Sequence, residues 1–524
     1  MRHRAGLLNL LALSIGLAAV GAVEGVLRVF HIGPSSRLFL LTEDEGQAVY
    51  AINPEVAHRF FQPQYLRHVP FDSRFAATKS RDTVRIFALG ASTLVGFPNP
   101  PSTSFTHFLE RMLADVFPGR HFEVVNCGIT ALSSFCLLDF AEEILDYQPD
   151  LLLIYSGHNE FVGPYGATTP FVYFGGNRAV VRSLMFLQRT RIYSVLRQLG
   201  YQIQQWLGND ESGARFGLHL VSREIDILDP SYRSTGENYR RNLQTIVAAA
   251  GGRNVSVLLS TLVSNTGDFY PLRSACSDRI EDPYTAAGEA TRAERLKAAL
   301  SASPYCAALQ FESGMHYFGR GQYEKAHQAF VRARDMDRFP FRAPTYFNQI
   351  IRNLAAEEET VLLSDTEAVF AEHSPHGIIG SELITEHLHP TVYGHYLIAR
   401  NMVEVLAANP ASRTWGPGAL ERLKTYEESA PQLDYTLEDR VYGRNDLIFF
   451  LKQMPYEHPP PTLRRRIAEL MHQQVRDCRL LPPEAAEAFR AKGGDRFLWK
   501  MLDFLLPADR QGLRQRFAAV FGVQ

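Results

Sequence analysis

The chain has 524 residues, of which 46% are hydrophobic and 21% charged, with a formal net charge of −2. That length exceeds what one hydrophobic core normally covers, so two domains, or one domain with large insertions, are expected of an otherwise ordinary globular composition. The near-zero charge excludes the broad basic field that nucleic-acid binding requires.

Arg2 and Arg4 precede an uncharged stretch, residues 5–23, interrupted only by Asn9 and Ser14. It is long enough to cross a bilayer as a helix, and basic residues before it favour a cytoplasmic amino terminus with the rest of the chain exported. A cleaved signal peptide competes, because Val20-Gly21-Ala22 resembles a small-residue processing site. The length of the run, and its continuation through residues 24–30, favour an uncleaved single-pass anchor over residues 1–30. The cysteines Cys127, Cys136, Cys276, Cys306 and Cys478 show no CxxC and no paired metal spacing. Cys127 and Cys136 are close enough for one disulfide, or they remain as buried thiols.

Residues 31–80 lack sustained periodicity and are expected to be an irregular lead-in. An α/β region then starts at residue 81, with a strand over 84–89 (VRIFAL) and a helix over 104–117, where Phe105, Phe108, Leu109, Met112 and Leu113 recur at helical spacing. A strand over 122–126 ends at Cys127-Gly128. A helix over 137–147 leads into a strand over 150–156 that breaks at Gly157-His158-Asn159-Glu160. Strand and helix alternating over short connections call for a doubly wound parallel sheet, with functional loops where its strands end.

After an aromatic, glycine-rich loop, residues 183–207 carry arginine-spaced amphipathic helices. The arginines at 178, 182, 189, 191 and 197 suit a solvated face better than a membrane surface. A helix ending at Gly251 and a strand over 255–262 complete the first part of this region, to residue 281. Residues 282–340 form an Ala-rich helical insertion, in which Gly314, Tyr317, Gly321, Tyr323, Ala326, Phe330 and Ala333 occupy the small and aromatic positions of one tetratricopeptide-like repeat. A single repeat cannot build a peptide-binding solenoid, so a packed helical hairpin is expected, with protein binding as the lesser alternative. The α/β region resumes over 341–408 with a helix over 345–357, a strand over 360–365, a loop, and an amphipathic helix opened by Pro390 and Thr391. Residues 409–524 form a helical carboxy-terminal module in which no chemistry is legible.

Four strand-end loops each carry one distinctive residue: Ser92 in GAST, Gly128 in NCGIT, Asn159 in GHNE and His389 in EHLHP. In this order and placement they resemble the SGNH (GDSL-type) hydrolase superfamily, over about residues 84–405. The resemblance implies a flavodoxin-like three-layer α/β sandwich and a nucleophilic Ser92 with His389 as base. It also implies an oxyanion hole from the Ser92 and Gly128 amides and the Asn159 side chain. No cofactor is implied. A serine hydroxyl needs a base to take its proton, and the tetrahedral intermediate needs donors aimed at its oxygen.

Two positions depart from the family pattern. Ala91 stands where Asp commonly precedes the serine, and that Asp is no triad member. Glu386 stands where an Asp usually lies three residues before the histidine; glutamate can orient an imidazole, although its extra methylene alters the reach. Asp365 is the backup acid, and a Ser-His dyad a further alternative. A metal site from His387, His389, His395 and Glu386, with His158 and Glu160, is disfavoured because i, i+2 and i+8 do not share one helix face. The expected activity is cleavage of an ester-linked acyl group on a small molecule, envelope glycan or lipid, or its transfer to an acceptor. The alternative from another class is a non-catalytic envelope scaffold that binds a protein partner through the helical insertion.

Overall fold

The structure is a computed structural model that describes residues 2–61, 73–168, 177–207, 223–276, 289–409, 415, 419–456 and 458–521. The chain forms two compact units, one from Met1–Thr78 and Tyr173–His219, the other from Lys79–Val172 and Leu220–Gln524.

The first unit opens with helix α1 (Arg2–Val29). Its segment Asn9–Val29 is long and apolar enough to cross a membrane, with a mean hydropathy of 2.1 and none of it buried. The expected irregular lead-in instead contains an antiparallel sheet. Strands β1 (Phe39–Asp44) and β2 (Gln47–Ile52) form a hairpin, and β3 (Arg74–Ala76) pairs with β2. The turn residues Glu45 and Gly46 both take positive φ, 47° and 79°, which suits a two-residue hairpin because it matches the strand twist. Much of β1 and β2 faces solvent, so the apolar alternation that announces a half-buried strand is absent.

In the second unit, β4 (Thr83–Gly90) is followed by the single turn α2 (Ser92–Val95), then α3 (Phe105–Val116), β5 (His121–Asn126), α4 (Ser134–Ile144) and β6 (Leu151–Tyr155). The chain then gives α5 (Arg178–Gln188) and α6 (Arg191–Trp206) to the first unit. It returns with α7 (Pro230–Gly251), β7 (Ser256–Ser260), α8 (Glu289–Ala302), α9 (Ala307–Phe318), α10 (Tyr323–Asp335), α11 (Thr345–Glu357), β8 (Val361–Ser364), α12 (Thr366–Glu372) and α13 (Val392–Ala408). The carboxy-terminal helices are α14 (Tyr426–Ser429), α15 (Leu437–Lys452), α16 (Pro461–Cys478), α17 (Pro483–Ala491), α18 (Gly494–Met501) and α19 (Pro507–Phe521).

Strands β4 to β8 pair in parallel in the order β5-β4-β6-β7-β8, the doubly wound order of flavodoxin-like folds. Helices α3 and α13 pack together on one face and α4, α7 and α11 on the other, giving the expected three layers. Every residue of β4 and β6 is buried, which is why both read as nearly unbroken apolar runs. The buried charge in β4, Arg85, is held by Glu123 at 2.6 Å and the Tyr147 carbonyl at 2.9 Å, so its desolvation is offset.

The insertion is helical as expected. Helices α9 and α10 form a hairpin so close that a Cβ on Gly314 would lie 2.6 Å from the Phe330 ring. The disulfide differs from the pair considered from sequence: Cys276 joins Cys306, while Cys127, Cys136 and Cys478 are buried free thiols. The carboxy-terminal helices enclose a core of their own, with Ile448, Ile467, Met471, Phe489, Leu498 and Phe517 at its centre. They also grip the α/β region. A Cβ on Gly443 of α15 would meet the Pro98 carbonyl at 2.7 Å, and the Tyr435 hydroxyl donates to Asn99 at 2.8 Å.

Candidate active site

Ser92 opens α2 directly after β4, at the sheet position where connections run off to opposite sides, to β5 on one and β6 on the other. In doubly wound folds ligands bind outside the carboxyl ends of the strands at such a switch point. The turn is tight: a Cβ on Gly90 would meet Leu94 at 2.3 Å and the Tyr155 carbonyl at 2.5 Å. The Ser92 amide, first in its helical turn, has no hydrogen-bond partner among the described residues, as expected of a helix start. The side chain is only half-buried.

His389 reaches Ser92 across 297 residues of chain, its Nε2 lying 2.7 Å from the Ser92 Oγ. On the other edge of the ring Nδ1 meets Glu386 Oε1. Glu386 folds back over its own loop. Its Oε1 also accepts the His389 amide at 2.8 Å, and its Oε2 accepts the His387 amide at 2.6 Å. This curl uses the extra methylene of glutamate: the carboxylate meets the ring and backbone of a residue three places on. The loop is locked from outside, with Thr385 donating through its amide (2.8 Å) and hydroxyl (2.9 Å) to the His389 carbonyl, and Asn265 donating to the His387 carbonyl at 2.9 Å.

Asp365, the backup acid, is engaged elsewhere. It binds Arg352 through two bonds of 2.9 and 2.8 Å, accepts from Thr261 at 3.0 Å and caps α12. Glu386, His387 and His389 do converge closely enough to suggest a metal site. Both ring nitrogens of His389 already have partners, however, and the His387 ring packs among Phe269, Phe341 and Phe450. That donor set fits a serine-histidine-carboxylate relay better than a cation. His395 lies apart in α13, accepting the Phe105 amide at 3.3 Å.

Burial pushes the His389 pKa down to about 3, which keeps the imidazole neutral and able to accept a proton. Glu386 opposes that shift once the ring is charged, since a carboxylate beside an imidazolium favours the protonated form.

Asn159 sits in the turn after β6 with both neighbours clamped. The buried His158 accepts the Ala343 amide at 3.1 Å, and the buried Glu160 accepts the amide and hydroxyl of Ser134, each at 2.7 Å. The half-buried Asn159 side-chain amide itself has no hydrogen-bond partner among the described residues. Gly128 departs from expectation: its amide donates to the Asn126 side chain at 2.9 Å. Its lack of a side chain serves packing, because a Cβ there would lie 2.5 Å from Leu94 beside the Ser92 turn. Three residues on, Ala131 takes φ 67°, and its amide has no partner among the described residues. The carbonyls of Ala131 and Asn159 both crowd Gly163, at 2.5 and 2.7 Å from where its Cβ would be, so these two loops meet.

Sequence reasoning missed the aromatic wall beside the histidine. Phe97 presents its ring edge-on to His389 at 4.9 Å, and Phe450 of α15 lies 5.4 Å from Phe97 and 6.3 Å from His389. Phe97 follows the GAST motif and was open to suspicion on that ground. Nothing local connects Phe450 to a loop some sixty residues before it.

No protein-family model matches the chain, and a search of curated proteins finds no match. Among solved structures it is similar to Axe2, an acetylxylan esterase from Geobacillus stearothermophilus, at 13% identity over 63% of this chain and 95% of that one, with a TM-score of 0.29. It is also similar to a GDSL-like lipase from Parabacteroides merdae (13% identity, 63% and 97% of the two chains, TM-score 0.29) and to LAE5, an α/β hydrolase enzyme from the metagenome of Lake Arreo (12%, 63% and 96%, 0.28). At these values the likeness adds nothing to the geometry.

Proposed function

We propose that the protein is a membrane-anchored serine hydrolase of ester-linked acyl groups, with Ser92 as nucleophile, His389 as base and Glu386 as the acid that orients it. One observation carries the reading: His389 bridges Ser92 Oγ and the Glu386 carboxylate through its two ring nitrogens. Glu386 accepts Nδ1–H, which leaves the Nε2 lone pair facing the serine. As Ser92 Oγ attacks the ester carbonyl, Nε2 takes its proton, and the charge on the ring is balanced by Glu386. The same Nε2–H then protonates the departing alkoxide. Water, deprotonated by His389, releases the acid from the acyl-serine in the second half. Transfer to another hydroxyl uses the same intermediate.

The developing oxyanion would be met by the Ser92 amide and the Asn159 side chain. With the Gly128 amide given to Asn126, the Ser92 amide and the Asn159 side chain are the donors this proposal uses. Among the described residues neither donor has to be withdrawn from another hydrogen bond, which is the preorganisation such a site needs.

α1 would hold the enzyme in the bilayer with its amino terminus in the cytoplasm and the catalytic unit exported, where acylated envelope glycans or lipids are the available ester substrates. The Cys276–Cys306 disulfide supports the oxidising side. Hydrolysis of p-nitrophenyl acetate by the full chain, compared with Ser92→Ala, tests the reading. Turnover should vanish in a variant that keeps its melting transition, and unchanged turnover in that variant would refute it.

A further inference from the structure

The helices α5 and α6 invert the usual distribution of side chains. On α6, Leu196, Leu199, Ile203 and Trp206 follow one another at three- and four-residue steps, forming a single stripe along one face. That stripe is exposed, with Trp206 at 85% and Leu196 at 62%. On α5, Phe186 is 71% and Leu187 53% exposed, whereas the polar Gln188 beside them is buried. A water-soluble surface rarely leaves two adjacent helices with their largest apolar side chains outward. From residue 177 to 207 the sequence has five arginines and no acidic residue.

The position of this pair within its own unit says what covers it. Glu24, in the last third of the apolar helix α1, accepts the first two amides of α6, from Arg191 at 2.9 Å and Ile192 at 3.0 Å. The Arg191 guanidinium bonds the Gly33 carbonyl just beyond α1, and a Cβ on Gly33 would meet Val195 at 2.7 Å. Five residues separate Glu24 from the end of α1, about 7.5 Å along a helix axis. The start of α6 is therefore fixed at the level where the apolar segment ends. For a helix that crosses a bilayer, this is the depth at which interfacial helices lie, with the apolar face sunk about 5–10 Å and tryptophan and arginine at the headgroups.

We propose that α5 and α6 form a membrane-interface hairpin that lays its apolar face into the bilayer surface beside α1, with its arginines meeting anionic headgroups. The inference rests on the reading of α1 as a membrane helix, but it can fail separately. It concerns a second, in-plane attachment and takes the membrane-surface reading of these arginines over the solvated face.

The chain has three tryptophans, and α1 contains none. The test takes full-length protein in vesicles of phosphatidylcholine and phosphatidylglycerol whose acyl chains carry bromine near the headgroup. The contribution of Trp206 is isolated by subtracting the emission of Trp206→Phe. Bromolipid should quench that contribution and aqueous iodide should not, and Ile203→Glu should lower the bromine quenching without changing ester hydrolysis. Quenching by iodide alone would place the stripe in water, and quenching by neither would place it against a protein surface or a second copy; either result overturns the proposal. Resistance of the same vesicles to alkaline carbonate reports α1 on its own. Retention without bromine quenching sinks the hairpin and keeps the anchor, while release with bromine quenching beforehand does the reverse.

Discussion

Replacing Glu386 by Gln is the most informative single change, because the structure dictates what the new side chain must sacrifice. Oε1 accepts both the His389 amide and the ring Nδ1, and Oε2 accepts the His387 amide. An amide has one acceptor. If its oxygen takes the Oε1 position, its NH₂ faces the His387 N–H, and a buried donor is left unpaired at a cost of about 1–3 kcal/mol in stability. If it flips, the NH₂ faces His389 Nδ1 and selects the tautomer whose Nε2 carries hydrogen, which cannot take the serine proton. In both orientations the charge that balances the imidazolium is gone. The comparable change in serine proteases lowers turnover ~10⁴-fold, about 5.4 kcal/mol of transition-state stabilisation. The assay is kcat for a short-chain aryl ester alongside a thermal melt. A folded Glu386→Gln enzyme within about tenfold of the native rate, less than 1.4 kcal/mol, would show that Glu386 is not the triad acid.

Three further outcomes are expected. Asn159→Ala should lower kcat ~10²–10³-fold with KM little changed, since the side chain has no other partner to lose among the described residues; a pure KM effect would contradict the proposed oxyanion role. The acid limb of kcat/KM should lie below pH 6.5, because the folded pKa of His389 is depressed: the neutral base is present above that value and is lost as pH falls through it, so a limb centred at 7 or higher would contradict the buried geometry. Phe450→Ala should destabilise the fold by ~3–4 kcal/mol and also lower kcat in the protein that remains folded, since its ring backs Phe97, His387 and His389; full activity at low temperature would make it a packing residue only.

How far the sequence could be read followed from burial and from range. The strands of the parallel sheet are covered on both faces, so 84–89, 122–126 and 150–156 stood out as apolar runs and lie within a residue or two of β4, β5 and β6. The half-exposed β1–β2 hairpin has no such run and passed for irregular chain. That Ser92 and His389 meet follows from strand-end placement, which fixes where loops converge even across 297 residues. What a loop does with its amides was not legible. Gly128 sits where a donor was expected, yet Asn126, two residues earlier, captures its N–H. Phe450 was invisible for a different reason: it reaches the histidine through the packing of α15 on the Phe97-Pro98 loop, a contact no local pattern encodes. For α5 and α6 helical periodicity tells which residues share a side but not which side turns inward, so the sequence alone does not decide what their arginines face.

The central claim is that Ser92 is an activated nucleophile, and reaction with a fluorophosphonate tests it most directly. Intact mass and peptide mapping of the full-length protein should find one covalent adduct on Ser92, absent in Ser92→Ala and strongly slowed in His389→Ala. Failure of the folded native protein to label, or labelling that persists in Ser92→Ala, would contradict the account.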